Sequence, residues 1–200
     1  MEGSWRTWLA AAAATALTGG LLAGCGGGER QDAHEPSATF KVAVVKASFP
    51  ARQALSSSST MRVTVRNADT RTIPNIAVTI TDDAGGGFVS KSEQPNLADP
   101  NRPLWIVDGE PHGGTTAYVS TWALGPLRAG QSRSFVWHVT PMVAGAHTLH
   151  FRVAAGLNGK ARAQTPGGGE AAGVFKVNVS SQPPQTTVDP KTGAVVPEKK

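Results

Sequence analysis

The feature that most constrains the fold is the placement of apolar residues at every second position. In one segment Met61, Val63 and Val65 alternate with Arg62 and Thr64. This spacing is typical of a β-strand with one buried face, because successive side chains of a strand point to opposite sides. The pattern recurs in six segments: 40–44, 61–66, 76–80, 135–139, 149–153 and 175–179. No segment has apolar residues at helical spacing. The sequence therefore predicts an all-β protein.

Turn residues between these segments indicate how the strands are connected. Residues 118–122 are predicted as a seventh strand, and 104–107 as a short strand or a packed loop. The Asn158-Gly159 pair predicts a type I′ hairpin that turns 152–157 back onto 160–164. Short strands separated by Gly, Pro, Asn and Asp favour two packed antiparallel sheets. We expect a single antiparallel β-sandwich of about seven strands.

Three motifs resemble those of bacterial surface immunoglobulin-like domains of the CARDB type. They are the strand and polar turn at 61–69, the segment LRAGQS at 127–132 and the segment AGAHTL at 144–149. The resemblance covers about 61–179. It implies an immunoglobulin-like fold and brings no catalytic residues with it.

The N-terminus has the layout of a secretory signal, with an apolar run that ends in small residues. Leu22-Ala23-Gly24-Cys25 resembles the lipobox of bacterial lipoproteins, in which the cysteine sulfur receives diacylglycerol before cleavage. The resemblance implies that 1–24 is removed and that Cys25, carrying covalent lipid, is the first residue of the mature chain. Cys25 is the only cysteine, so no internal disulfide can form. No other cofactor is expected.

The remaining boundaries follow from composition. Residues 25–37 are polar and rich in glycine, which predicts a flexible tether. Residues 38–181 hold all the alternating segments and form the predicted sandwich. Residues 182–200 contain four prolines and few large apolar residues, which predicts a disordered tail.

The folded region is basic. Residues 37–181 contain 14 Lys and Arg against 8 Asp and Glu, a balance of +6. The bases are scattered along the sequence and form no run, which is not typical of a nucleic-acid-binding protein. The excess of cations predicts an attraction to anionic lipid or to an anionic wall polymer.

Candidate catalytic and metal-binding groups are few. The sequence has no Gly-x-Ser-x-Gly motif and its one cysteine is assigned to lipid, so we expect no enzyme. Histidines from adjacent strands could bind a copper-type metal ion. His138 and His150 are predicted to face outward on neighbouring strands and are the candidate pair. His147 and His150, three residues apart on one strand, are expected to point to opposite faces.

The segment 84–117 is longer than a connection within a sandwich needs. Two interpretations stay open: a binding loop on a rigid scaffold, or a plug that folds Trp105 over one end of the sandwich. If the segment binds a partner, the candidate residues are Trp105, Asn101, Arg102 and His112.

These observations lead to one expectation and two alternatives. We expect a secreted protein anchored by lipid to the outer face of the bacterial cytoplasmic membrane or within the cell envelope, where it acts as a non-catalytic interaction or structural module with an envelope protein as partner. The first alternative is a metal-handling accessory lipoprotein. The second is a binder of anionic cell-wall polymer that uses Trp105 and the arginines.

Overall fold

The computed structural model describes residues 30, 32–83, 88–90, 103–114, 116, 118–182 and 185–197. The predicted signal 1–24 and Cys25 lie outside these residues. Within them the secondary structure consists of β-strands, and no helix is long and apolar enough to cross a membrane. The strands are β1 (Ala38–Ser48), β2 (Arg52–Ala54), β3 (Ser59–Asn67), β4 (Ala77–Asp82), β5 (Phe88–Ser90), β6 (Trp105–Gly109), β7 (Thr121–Ala123), β8 (Ser132–Pro141), β9 (Gly145–Ala154), β10 (Ala161–Gln164), β11 (Ala172–Ser180), β12 (Thr186–Val188) and β13 (Val195–Pro197).

Two sheets share one apolar core. The first has six strands in the order β10-β1-β3-β8-β6-β5, and the second has five in the order β2-β11-β9-β4-β7. The inward side chains of both sheets belong to the same buried cluster. The all-β prediction is confirmed. The prediction of about seven strands is too low, because strands of three to five residues are too short to show an alternating pattern. The prediction that all strands are antiparallel is wrong, because β1 with β10, β2 with β11 and β5 with β6 form parallel pairs.

The six alternating segments coincide with the long strands β1, β3, β4, β8, β9 and β11. Their inward faces are as predicted: Met61, Val63 and Val65 are fully buried, and the outward Arg66 is exposed. Of the predicted strand 118–122, only its end lies in a strand, β7. The alternation therefore identified which side of each long strand faces the core.

The hairpin predicted at Asn158-Gly159 is wrong. β9 belongs to the five-stranded sheet, whereas β10 pairs in parallel with β1 of the six-stranded sheet, with Ala161 opposite Ala38. Of the two turn residues only Gly159 has a positive φ, +78°, and a type I′ turn requires positive φ at both. Residues 155–160 are thus a crossover from one sheet to the other.

The segment before β1 is docked on the sandwich. The side chains of Asp32 and Glu35 are buried, at 4% and 7% exposure. The Tyr118 hydroxyl donates to Asp32 Oδ2 at 2.9 Å, and the Asn158 side-chain amide donates to the Asp32 backbone carbonyl at 2.9 Å. The flexible tether predicted for 25–37 is therefore wrong for its second half.

The C-terminal region also differs from the prediction. In place of a disordered tail over 182–200, β12 and β13 pair as a small antiparallel sheet, with Thr187 opposite Val196. The side chains of β12 are exposed, so this sheet adds nothing to the core.

The length of the segment 84–117 has a topological cause. β5 and β6 are neighbours in the six-stranded sheet and run parallel, with Phe88 opposite Trp105. Parallel neighbours need a connection of about a dozen residues or more, because the chain must return to the start of the pair. Residues 91–104 provide that connection, so this part of the segment is required by the fold.

Candidate functional site

Trp105 lies in the core and has no exposed surface. Its indole N–H donates to Gln53 Oε1 at 2.9 Å. The ring packs near Phe49 and Phe88, with centroid distances of 5.9 and 6.3 Å. The prediction that Trp105 contacts a partner is therefore wrong, because a fully buried ring offers a partner no surface. The structure favours the plug interpretation for this residue.

Of the other candidate binding residues in the segment 84–117, the structure describes His112. Asn101 and Arg102 lie outside the described residues. His112 is exposed and lines a depression of about 490 Å³ together with Glu110, Arg133 and His138. The structure thus places His112 near His138, a pairing that the sequence did not predict. In the described part of the chain, no group of three or more His, Cys, Asp or Glu side chains is arranged to hold a metal ion.

The predicted metal pair does not form. His138 lies on β8 of the six-stranded sheet and His150 on β9 of the five-stranded sheet, because the chain changes sheets between these strands. His138 Nδ1 lies 3.2 Å from the Thr60 hydroxyl. His150 Nε2 lies 2.8 Å from Asp83 Oδ1, and this hydrogen bond lowers the pKa of Asp83. The two imidazoles project from opposite outer faces.

The prediction for His147 and His150 is confirmed. The His147 ring packs edge-on against the buried Trp105, with centroids 5.3 Å apart, and its Nε2 lies 3.0 Å from the Val143 carbonyl oxygen. His150 faces outward. The period-two geometry of β9 separates the two residues.

The outer face of the six-stranded sheet gathers cationic side chains. On β3, Arg62 and Arg66 project outward, on the side opposite to the core residues Met61, Val63 and Val65. On the neighbouring β1, Lys46 lies opposite Thr64, between the two arginines. We call the set formed by these three cations together with Lys41 of β1 and Arg162 of β10 the basic face.

The edge of the basic face continues across β1 and β10. Arg162 is opposite Thr39, and Lys41 is opposite Gln164. Among the strand residues of this sheet that the structure describes, Asp108 of β6 is the one carboxylate, and it accepts the Thr140 hydroxyl at 2.5 Å. Within the described strands the negative charge thus lies on β6, whereas β10, β1 and β3 carry cations. Asp69, just beyond β3, is paired with Arg71.

The outer face of the five-stranded sheet has a different charge pattern. Arg152 Nε lies 2.8 Å from Glu170 Oε1, and His150 contacts Asp83. These side chains line a depression of about 740 Å³. Arg152 and His150 on this face thus have acidic partners.

The bases are scattered along the chain, and pairing of β1 with β3 and β10 brings several of them together. Lys41, Arg62 and Arg66 each occupy an outward position directly between core residues. An outward position next to buried residues is the sequence signal that could have identified these cations. Grouping them further required knowing that β1 pairs with β3 and β10.

Comparisons with known proteins show likenesses of structure. No family model matches the sequence, and no curated protein matches it. The CARDB domain of a Pyrococcus furiosus protein, solved in complex with di-metal ions, is similar at 12% identity and a TM-score of 0.44, over 72% of this chain and 94% of that one.

Two α2-macroglobulins are also similar. The Escherichia coli protein, solved from domain MG7 to the C-terminus, shares 15% identity at a TM-score of 0.42, over 78% of this chain and 21% of that one. The Salmonella protein shares 12% identity at a TM-score of 0.42, over 73% of this chain and 7% of that one. The chain thus spans a small part of either macroglobulin.

Proposed function

We propose that this protein is a lipid-anchored, extracytoplasmic module of the bacterial envelope that binds an acidic partner through the basic face and performs no catalysis. The observation that carries the proposal is the gathering of Lys41, Lys46, Arg62, Arg66 and Arg162 on three adjacent strands. Like charges on one sheet face repel one another, so a face of this kind is suited to an anionic counterpart.

The polar contacts on this face support binding rather than catalysis. Thr64 Oγ1 lies 2.8 Å from Ser134 Oγ, and the Thr60 hydroxyl lies beside His138. These are cross-strand pairs, which stabilise a sheet and keep its surface rigid. A regular sheet fixes the spacing of the Cα atoms that carry these cations.

The anchor part of the proposal is supported by the motif that ends in Cys25. One acyl chain gives only marginal membrane binding, whereas two signals together hold a protein stably. Diacylglycerol on Cys25 would supply two chains on one residue. The sandwich would then be attached to the membrane surface without spanning it.

The test uses a photo-activated cross-linking residue in the full chain, expressed in bacteria. Placed at Thr64, in the middle of the basic face, it should yield an adduct that is lost when Arg62 and Arg66 are changed to glutamine. The matched control carries the probe at Val174, which is 53% exposed on the opposite outer face.

Lipidation is tested separately in the same cells. Incorporation of a labelled fatty acid should disappear in Cys25→Ser, and the protein should leave the membrane fraction. Equal adducts at Thr64 and Val174 would contradict binding through the basic face. Fatty-acid labelling that persists in Cys25→Ser would contradict the anchor.

A further inference from the structure

We infer that the acidic partner of the basic face is an anionic lipid surface, and that the six-stranded sheet lies with its outer face against the membrane. The inference deepens the proposed function and rests on it. Three observations carry it: the short chain between Cys25 and the docked segment, the open arrangement of the cations, and the chemistry of the side chains between them.

Docking of the N-terminal segment shortens the free chain between Cys25 and the sandwich. Because Asp32 is already fixed to Tyr118 and Asn158, only seven peptide units join its Cα to that of Cys25. At no more than 3.6 Å each they span at most about 25 Å. A chain anchored at Cys25 would therefore hold Asp32 within about that distance of the lipid headgroups. Lys41 and Arg162 of the basic face lie on β1 and β10, which begin just after this docked segment and after Asn158.

The cations are spread over an open sheet surface. Arg62 and Arg66 are four residues apart on β3, about 13 Å along the strand. Lys46, opposite Thr64, stands between them on the next strand. Of the two depressions described above, one borders β3 on the same sheet, along Ser134, Val136 and His138 of β8, and the other lies on the opposite sheet. Neither depression is lined by a cation of the basic face. Dispersed cations on an open face fit a diffuse anionic surface better than a single buried ligand.

The side chains between the cations do not favour a glycan or a protein partner. The outward neighbours on β3 and β8 are Thr60, Thr64, Ser134, Val136 and His138. Glycan and protein binding sites commonly use exposed aromatic rings. The tryptophans of the described part, Trp105, Trp122 and Trp137, are at most 5% exposed. Lys, Arg and small hydroxyl side chains are groups that bind phosphate.

The expected strength follows from the charge. Each Lys or Arg near an anionic membrane strengthens binding about fivefold, and the effect decays within a Debye length of about 8 Å at physiological salt. Three cations then account for roughly a hundredfold in affinity. This attraction alone is weak and reversible, and its role would be to orient a chain that lipid already holds.

The test measures vesicle binding by the mature chain that starts at position 25, with Cys25→Ser to remove the lipid. This chain keeps every described contact, because the described residues begin at 30. The vesicles are neutral phosphatidylcholine, with or without anionic phosphatidylglycerol. The face variant combines Lys46→Gln, Arg62→Gln and Arg66→Gln. The control variant combines Arg52→Gln, Arg152→Gln and Lys176→Gln on the other sheet and has the same net charge.

We expect binding to the anionic vesicles only, weakened by salt, reduced roughly a hundredfold in the face variant and changed less than about fivefold in the control. Equal losses in both variants would overturn the assignment to this face. No binding of the parent chain to anionic vesicles would overturn the lipid as partner.

The proposed function has its own readout. The parent chain could fail to bind vesicles and yet bind soluble polyphosphate or an acidic protein. If the face variant loses that binding, the lipid inference fails while the proposed function stands. If the face variant also leaves the cross-link at Thr64 unchanged in cells, the proposed function fails as well. Thermal unfolding of both variants within a few degrees of the parent checks that the fold is retained.

Discussion

Both carboxylate oxygens of Glu35 accept the backbone N–H of Leu157, at 2.7 and 2.8 Å. Glu35 Oε2 also accepts the N–H of Asn158 at 3.1 Å. These donors belong to the crossover between β9 and β10, more than a hundred residues further along the chain. A single buried carboxylate thus ties the segment before β1 to the loop that moves the chain between the sheets.

Gly156→Ala should break this connection. A Cβ at position 156 would overlap the Glu35 carboxylate and lie 2.9 Å from the Ala161 Cβ. We expect the free energy of unfolding to fall by about 2 to 3 kcal/mol, from overpacking and from the loss of hydrogen bonds to a charged group. Urea denaturation measures the change, and hydrogen exchange at Leu157 and Asn158 should become faster.

Gly167→Ala is the matched control. A Cβ there meets no atom within 4 Å, and Gly167 has no positive φ. It should change the stability by less than about 0.5 kcal/mol. Equal effects of the two substitutions would show that Glu35 does not hold the crossover in this way.

The same connection shows what the sequence could not predict. Alternation identified the inward faces of the long strands, because it depends only on neighbours along the chain. The route from β9 to β10 depends on Glu35, distant in sequence, and on β1 as a pairing partner. Asn158-Gly159 is a good local signal for a hairpin, and tertiary contacts determined a different path.

Asp69 and Arg71 should make stability depend on acid pH. Asp69 Oδ1 accepts the Arg71 Nε–H at 3.1 Å, and Oδ2 accepts the Lys41 backbone N–H at 3.1 Å. Hydrogen bonding to the Arg71 side chain, opposed by burial and aided by the backbone N–H groups of Arg71 and Lys41, holds the pKa of Asp69 far below its ordinary value of 3.8. A lowered pKa in the folded state stabilises the fold above about pH 4, and this stabilisation is lost as the pH falls further.

Asp69→Asn removes the titrating group and keeps an acceptor oxygen. The variant should be less stable than the parent at pH 7, and the difference should shrink steadily between about pH 4 and pH 2. Urea midpoints measured at several pH values test this directly. A stability difference that stays constant over this range would contradict the coupling.

Gln53 should stabilise the fold through Trp105. Its Oε1 accepts the buried indole N–H at 2.9 Å, and its Nε2 donates to the Pro50 carbonyl oxygen at 3.0 Å. Gln53→Leu leaves the indole donor without this partner, which should cost about 1 to 3 kcal/mol. In a Trp105→Phe background the same substitution should cost distinctly less. Additive losses in this double-mutant cycle, measured by urea denaturation, would argue against the bond.

The basic face could be predicted only in part. The outward positions of Lys41, Arg62 and Arg66 follow from alternation, but which strands stand side by side does not. The order β10-β1-β3 includes an antiparallel pair, β1 with β3, and a parallel pair, β1 with β10, whose strands are far apart in sequence. The same limit explains the error for His138 and His150, which are close in sequence and belong to different sheets.

The connection between β5 and β6 should tolerate new residues but not a large deletion. Phe88 of β5 is 2% exposed and pairs in parallel with Trp105 of β6. The connection must therefore run from the end of β5 back to the start of β6. Replacing 91–102 by Asn-Gly leaves a connection too short for a parallel pair, so β5 should detach from β6. The free energy of unfolding should then fall by about 3 to 5 kcal/mol, because the buried Phe88 side chain becomes exposed. A Gly-Ser segment of the original length, which also removes Asn101 and Arg102, should cost less than about 1 kcal/mol. Urea denaturation compares the two variants. Equal stability of the two variants would mean that the sandwich does not need the parallel pair. The expected difference would show that the fold requires a connection of this length.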